Sequence, residues 1–456
     1  MDGTPAPGAT TLGTQPSGTA TSTRAAAGSF IGGVVEWYDF FIYGTAAALV
    51  LNDVFFPDAD PAAGTLLALA TFGIAYLARP VGGIVFGHIG DRMGRRAALV
   101  ATLMLMGVAT FLIGVLPTHA AIGVWAPAIL VVLRLAQGLA AGGELGGASA
   151  LAVEHAPPGR RGFFGAFAMS GSSAGIALGS GVFALVLTLP EDQFLAWGWR
   201  VPFLLSALVV VVGFVIRRKV PEPEVFVDAV ADPAAGPAAT APVQARLPLL
   251  GVLRTYARPA LVAVVVYSAQ VIAFYLVTVY SVSYARANLD VSVPALVVSA
   301  VTLTTLANIA MNLVWGALSD RVGRRPVLIG GAIVQAVFLF AFFAVLPSGN
   351  FLLILAAMLG TLSFGQAAIV GVVPAYFSEM FGTTVRVTGI GLGVGVASIV
   401  GGFTPLVAAA VAGAGGGWVL MSSIAAGVCV AACGAVLLLR ETRDLDITRI
   451  GEDSRG

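Results

Sequence analysis

Apolar stretches of about 20 residues recur twelve times along the chain, and that repetition leaves almost no choice of fold. A helix crossing a hydrocarbon layer roughly 30 Å thick satisfies every backbone hydrogen bond internally, whereas an open strand leaves an unpaired edge in oil. The expected spans run 30–51, 64–87, 97–117, 122–152, 162–188 and 199–216 in a first set. A second set runs 259–284, 293–317, 326–346, 350–376, 387–411 and 417–438. Composition agrees: 58% of the residues are hydrophobic and 10% charged, and the mean hydropathy is +0.94. Lipid is the solvent for most of such a chain.

The fold class expected is therefore all-α: a polytopic membrane protein whose twelve transmembrane helices form two six-helix bundles. Residues 1–27, rich in Thr, Ala, Gly, Ser and Pro, bury too little apolar surface to order themselves and read as a disordered cytoplasmic tail. The bundles occupy 28–216 and 259–440, a polar, Pro- and Ala-rich cytoplasmic linker occupies 217–258, and 441–456 form a second tail. With both termini in the cytoplasm, 20 of the 24 basic residues fall inside, including Arg92, Arg95, Arg96, Arg160, Arg161, Arg321, Arg324, Arg325 and Arg386. Only Arg200 and Arg286 remain outside, beside Asp53, Asp58 and Asp60; the reverse orientation inverts the positive-inside bias. A net charge of +1 gives no field for nucleic acid. Cys429 and Cys433 lie within one apolar span with no partner ligands nearby, so no metal or cofactor is expected. No cluster of nucleophile and base suggests an enzyme.

The loop after the second span, Gly87-His-Ile-Gly-Asp91-Arg92-Met-Gly94-Arg95-Arg96, matches at six of ten positions the loop Gly316-Ala-Leu-Ser-Asp320-Arg321-Val-Gly323-Arg324-Arg325. A helical hairpin needs glycine for its reversal, and an aspartate followed by arginines supplies a charged latch. After the fourth span of each set, Glu154 precedes Arg161 by seven residues and Glu379 precedes Arg386 by seven. Two motifs duplicated in register mark an internal repeat.

With these motifs the chain resembles the major facilitator superfamily over residues 30–440, and within it the metabolite:proton symporters, which include shikimate, 2-oxoglutarate, citrate and proline/betaine carriers. The closer resemblance is carried by Glu36-Trp37-Tyr38-Asp39-Phe40, Arg134-x-x-Gln137-Gly138 with Gly142-Gly143-Glu144, and Trp197-Gly198-Trp199-Arg200-Val201-Pro202-Phe203. Gly33 stands where many relatives carry Asn. The resemblance implies the major facilitator fold and assigns Asp91, Arg95, Glu154, Arg161, Asp320, Arg324, Glu379 and Arg386 to conformational gating.

Charges within a span cost roughly 2.5–3.5 kcal/mol each near the helix centre, so each requires a purpose. Away from the span ends five are found, Glu36, Asp39, Arg79, Arg134 and Glu144, all in the first half. Glu36 and Asp39 share a helix face and are candidates for proton coupling, with a fixed ion pair to Arg134 as the alternative for Asp39. Glu144 is either a proton exit or a paired structural acid. Arg134 and Gln137, one turn apart, together with Tyr43, are candidates to grip a carboxylate. Arg79 is expected to snorkel toward the cytoplasmic surface. In the second half Gln270, Tyr275, Asn308 and Asn312, with Tyr267, are candidate substrate contacts or interhelical glue. The glycines at 389, 391, 393 and 395 sit in a span and read as helix packing, not a nucleotide loop.

The function these features point to is proton-coupled symport of a small polar metabolite, an organic acid such as shikimate or a dicarboxylate, by alternating access across the plasma (inner) membrane. Its partners are the metabolite, protons and lipid, and the working unit is a monomer. Proton-driven efflux and zwitterion uptake (proline or betaine) are the alternatives.

Overall fold

The computed structural model describes residues 18–445 apart from 94, 143–151, 155, 158, 219–254 and 383–384; side chains are also left undescribed at 18–29, 90–91, 95–96 and 215–218. Twelve long helices follow in chain order among the described residues. The first six are α1 (Gly18–Leu49), α2 (Pro61–Met93), α3 (Arg95–Val115), α4 (Trp125–Gly142), α5 (Arg161–Val186) and α6 (Val201–Arg218). The second six are α7 (Ala257–Asn288), α8 (Val293–Val322), α9 (Arg324–Val345), α10 (Phe351–Met380), α11 (Arg386–Gly413) and α12 (Gly417–Leu437). Among the described residues ten helices are long and apolar enough to cross a membrane, and Gly198–Phe214 is a shorter apolar helix. Leu77, Ile84, Leu208, Leu306, Val314, Val337 and Leu437 lie exposed on the outer faces, where lipid covers them.

Local chemistry sets the helix ends. Gly323, at φ +104°, reverses the chain between α8 and α9, a conformation that a side chain strains. Asn350 caps α10 by accepting from the N–H groups of Leu352 and Leu353. At the other end of the chain, α1 begins at Gly18, so residues 18–27 are helical where composition suggested a disordered tail. Once the apolar part of a helix is anchored, each added residue costs little, and the Ala25–Ala27 run favours propagation. The 217–258 linker lies almost wholly outside the described residues.

Within the first half α1 packs on α5, α2 on α4 and α3 on α6; α7 on α11 and α9 on α12 are prominent pairs in the second. The α1–α5 contact explains Gly33. A Cβ there would lie 2.8 Å from the Ala168 carbonyl, and one at Gly171 would lie 2.0 Å from that of Phe30, so a larger residue would force the helices apart. Two motifs of the resemblance also meet, because the Tyr38 hydroxyl donates to the Pro202 carbonyl at 2.7 Å. The halves join along two seams, α5 against α8 and α2 against α11.

Candidate functional site

Between the halves lies a cavity walled by Trp37 of α1, by Ser172 and Ser173 of α5, and by Tyr267, Gln270 and Phe274 of α7. Thr305 and Asn308 of α8 and Gln366 of α10 complete its polar lining. No charged side chain lines it among the described residues. The carboxamides are held in pairs: Gln366 Nε2 donates to Gln270 Oε1 at 3.1 Å, and Ser363 Oγ donates to Asn308 Oδ1 at 2.5 Å. Ser363 and Gln366 fall in a π-helical stretch, Leu359–Gln366, and a second one, Leu276–Tyr280, follows the cavity wall in α7. Such stretches redirect side chains and loosen backbone carbonyls; Trp315 Nε1 donates to the Ser363 carbonyl at 2.9 Å. The cavity holds about 30 Å³, room for a water or two. A small organic molecule needs roughly ten times that, so the cavity as it stands is too small for one.

At the arginine-rich end the halves are latched. Asp320 of α8 accepts from the backbone N–H groups of Gly162 and Phe163, at 2.8 and 2.9 Å, and so caps the N-terminus of α5 in the other half. Asp320 also pairs with Arg324 at 2.7 Å, and Arg324 pairs with the fully buried Glu379 at 2.9 Å. Arg161 approaches Glu379 to 3.9 Å, and Arg386 reaches Glu154 of the first half at 2.7 Å. The two backbones touch here: a Cβ on Gly162 would lie 2.3 Å from the Gly316 carbonyl. The chain following α12 ties into the same cluster. Glu441 accepts from the N–H groups of Arg324 and Arg325, Thr442 donates to Glu379, and Arg161 donates to the Leu445 carbonyl. Partial burial disfavours the charge on Glu441, but the four backbone donors around it prevail and hold its carboxyl below the usual carboxylate range.

The opposite end is closed as well. Arg286 of α7 pairs with Asp53, which follows α1. Nearer the cavity the hydroxyls of Tyr76 and Tyr275 meet across the seam, with the Phe72 ring edge-on to both. Gly402 lets α11 press onto the Tyr76 ring, where a Cβ would stand 2.2 Å away. A polar chamber sealed separately at each end is an occluded arrangement.

Comparison with known proteins identifies the architecture. The description "Sugar (and other) transporter" matches residues 25–232, and "Major Facilitator Superfamily" matches residues 289–453. The shikimate transporter of Escherichia coli K12 is 37% identical over 92% of this chain and 95% of its own length. The chain belongs to the major facilitator superfamily. The E. coli K12 inner membrane metabolite transport protein YhjE is 40% identical over 82% of this chain and 84% of its own. The proline/betaine transporter of Salmonella typhimurium is 34% identical over 85% and 77%. Among solved structures, the proton:xylose symporter XylE bound to 6-bromo-6-deoxy-D-glucose has the same fold, with a TM-score of 0.70 at 17% identity over 93% of this chain and 97% of that one. As a member of this superfamily the protein is a multi-pass membrane transporter of metabolites, not an enzyme.

In this facilitator the candidate residues from sequence divide into three groups. Gln270 and Asn308 line the cavity, and Asn312 stands behind it, donating to the cavity-lining Ser173 at 3.0 Å. Tyr275 belongs to the aromatic closure and not to the polar wall. Arg134, Gln137 and Tyr43 do not reach the cavity at all. Arg134 is fully buried and donates to the carbonyls of Thr71 and Phe72 and to Gln137 Oε1, with the Tyr43 ring 3.8 Å from its guanidinium carbon. Gln137 in turn donates to Thr110 at 2.7 Å, and the Tyr43 hydroxyl bonds Thr71. This network ties α1 through α4 together inside the first half.

Of the acids, Asp39 is 1% exposed on α1, and Glu36 directly precedes the cavity-lining Trp37. Arg79 does not snorkel: it is 4% exposed, with its guanidinium carbon 4.4 Å from both the Phe40 and Tyr76 ring centroids and Nη2 4.0 Å from Glu36. The reason is packing: the Phe40 and Tyr76 rings and Glu36 hold the guanidinium inside the bundle. Glu144 and the side chains of Asp91 and Arg95 lie outside the described residues. Sequence reasoning missed Ser172, Ser173, Thr305 and Gln366; their only signal was a polar residue within an apolar span, which interhelical packing produces equally well.

Proposed function

We propose that this facilitator is a proton-coupled symporter of a small polar metabolite, working by alternating access across the inner membrane with its arginine-rich end in the cytoplasm. The observation that supports this reading best is the arrangement of two separate closures, each joining the halves, around one polar chamber. Rocking that breaks the Asp320–Gly162 latch admits the cytoplasm, and rocking that parts Arg286 from Asp53 admits the outside. Neither closure is a strong bond in net terms: the charged groups regain water on opening, so the two openings stay close in free energy.

Asp39, buried in α1, is the proton carrier in this account, with Glu36 and Glu144 as accessory acids. A gradient drives uptake only if protonation and opening are linked. The solute class is a small organic acid, in keeping with the shikimate transporter's similarity. Zwitterion uptake is the second reading, favoured by the uncharged lining and by the Trp37–Phe274 aromatic wall, whose ring centroids are 6.1 Å apart and whose faces suit a quaternary ammonium. The test is uptake by the purified protein in proteoliposomes under an imposed pH gradient, using labelled shikimate, proline and glycine betaine. Accumulation above the outside concentration, abolished by a protonophore, is expected for one of them. Equilibration without accumulation for every one rejects proton coupling.

A further inference from the structure

Two guanidinium groups lie in the membrane interior of the first half, and their surroundings differ sharply. Arg134 has three hydrogen-bond acceptors. Arg79 is also buried, at 4% exposure, yet its Nε has no hydrogen-bond partner, and Glu36 stands 4.0 Å from its Nη2, beyond hydrogen-bond length. The Phe40 and Tyr76 rings on which it rests offer their π faces but no acceptor that fills the guanidinium fork. A buried guanidinium retains a strong demand for a planar, bidentate acceptor, and a carboxylate meets it.

Position points the same way. Glu36 immediately precedes Trp37, and Tyr267, another wall residue of the cavity, lies within electrostatic reach of both Glu36 and Arg79. Among the described residues no charged side chain lines the cavity, and Arg79 is a buried cation within electrostatic reach of its Tyr267 wall, toward which an anionic solute group is drawn. Arg79 also rests on Tyr76, whose hydroxyl meets Tyr275 of the opposite half.

We propose that Arg79 is the anion-recognising residue of the transport site: a solute carboxylate takes its Nη donors in place of Glu36 when the halves part. The inference rests on the transport reading, and it holds for an organic acid and for the carboxylate of a zwitterion alike. Glu36 is then the internal competitor that occupies Arg79 between cycles. Because Arg79 stacks on Tyr76, occupancy of the subsite is felt at the aromatic closure.

The experiment compares each acid with its carboxamide. Full-length protein in detergent is titrated with shikimate, proline and glycine betaine and with the three corresponding amides, following thermal stabilisation, and the same compounds are tested for flux in sealed proteoliposomes. Wild type is expected to prefer at least one acid over its amide by roughly tenfold to a hundredfold, the range for charge-assisted hydrogen bonds. R79Q is expected to lose that preference while binding the amide as wild type does, and R79K to recover part of it. E36Q, which removes the competitor, is expected to bind the acid several-fold more tightly, and it serves if R79Q does not fold. An undiminished preference in R79Q, unchanged acid affinity in E36Q, or no preference for any acid in wild type overturns the proposal. Binding with the expected preference but without flux defeats the transport reading alone; flux with an undiminished preference in R79Q defeats the subsite alone.

Discussion

Gly162→Ala places one methyl group where the two halves touch, and the structure sets its effect. In the closed arrangement the new Cβ would lie 2.3 Å from the Gly316 carbonyl oxygen, 2.7 Å from Ser319 Oγ and 2.8 Å from Arg324 Nη1. The first obstacle is backbone and does not rotate away, so α5 and α8 must separate by about 1 Å to restore van der Waals contact. Forced overpacking of this kind costs about 1–3 kcal/mol. It acts only when the arginine-rich end is closed, and therefore shifts the closed-to-open ratio by roughly 5- to 150-fold. Spin labels at Arg160 and Val322, both exposed beside the latch, report that separation by pulsed electron resonance. The expected result is growth of a long-distance population and slower transport, because the cycle passes through the closed state. Gly391→Ala, with nothing within 4 Å of its Cβ, is the control. A distance distribution in G162A identical to that of wild type refutes the role given to the α5–α8 contact.

Asp320→Asn keeps the shape of the latch but removes the charge that caps α5 and pairs with Arg324, and is expected to favour the open arginine-rich end in the same distance measurement. Glu441→Gln is expected to lower the melting temperature near neutral pH. Because the folded state holds the Glu441 carboxyl below its ordinary range, its contribution is complete above the unfolded value and fades as pH falls through the folded one, so the deficit of E441Q shrinks on acidification; a deficit that grows contradicts the assignment. Arg134→Gln strands the buried carbonyls of Thr71 and Phe72 at a cost of about 1–3 kcal/mol, read as a drop in melting temperature with little change in solute affinity. A selective loss of solute affinity instead returns Arg134 to the binding site.

The spans were legible because their causes are local, and the duplicated loops marked Asp320 and Arg324, which meet at the arginine-rich end. Twenty apolar residues make a helix whatever their neighbours do, and Gly316-x-x-x-Asp320 carries both the close approach and the cap in one turn. The helix ends were less so: α2 runs six residues past its expected end at 87, and Arg79 is buried against Phe40 and Tyr76 instead of snorkelling. The face a polar residue presents was not legible at all. Arg134 and Asn308 are both polar groups in apolar helices, yet one closes a network inside a half and the other faces the chamber between halves. Which occurs depends on the packing of four or five other helices, and no spacing within one helix encodes it. The departure at Gly33 acquired its reason only from α5, a helix more than a hundred residues away.

Proton coupling through Asp39 is the claim on which the account turns, and proton flux tests it most directly. Proteoliposomes containing the protein and an internal pH dye, with no imposed gradient, are given whichever solute the uptake screen identifies. Wild type is expected to acidify the interior as the solute enters, whereas Asp39→Asn is expected to exchange solute across the membrane with no change in internal pH. Acidification that persists in the Asp39→Asn protein, or solute entry into wild-type vesicles with no proton movement, would contradict it.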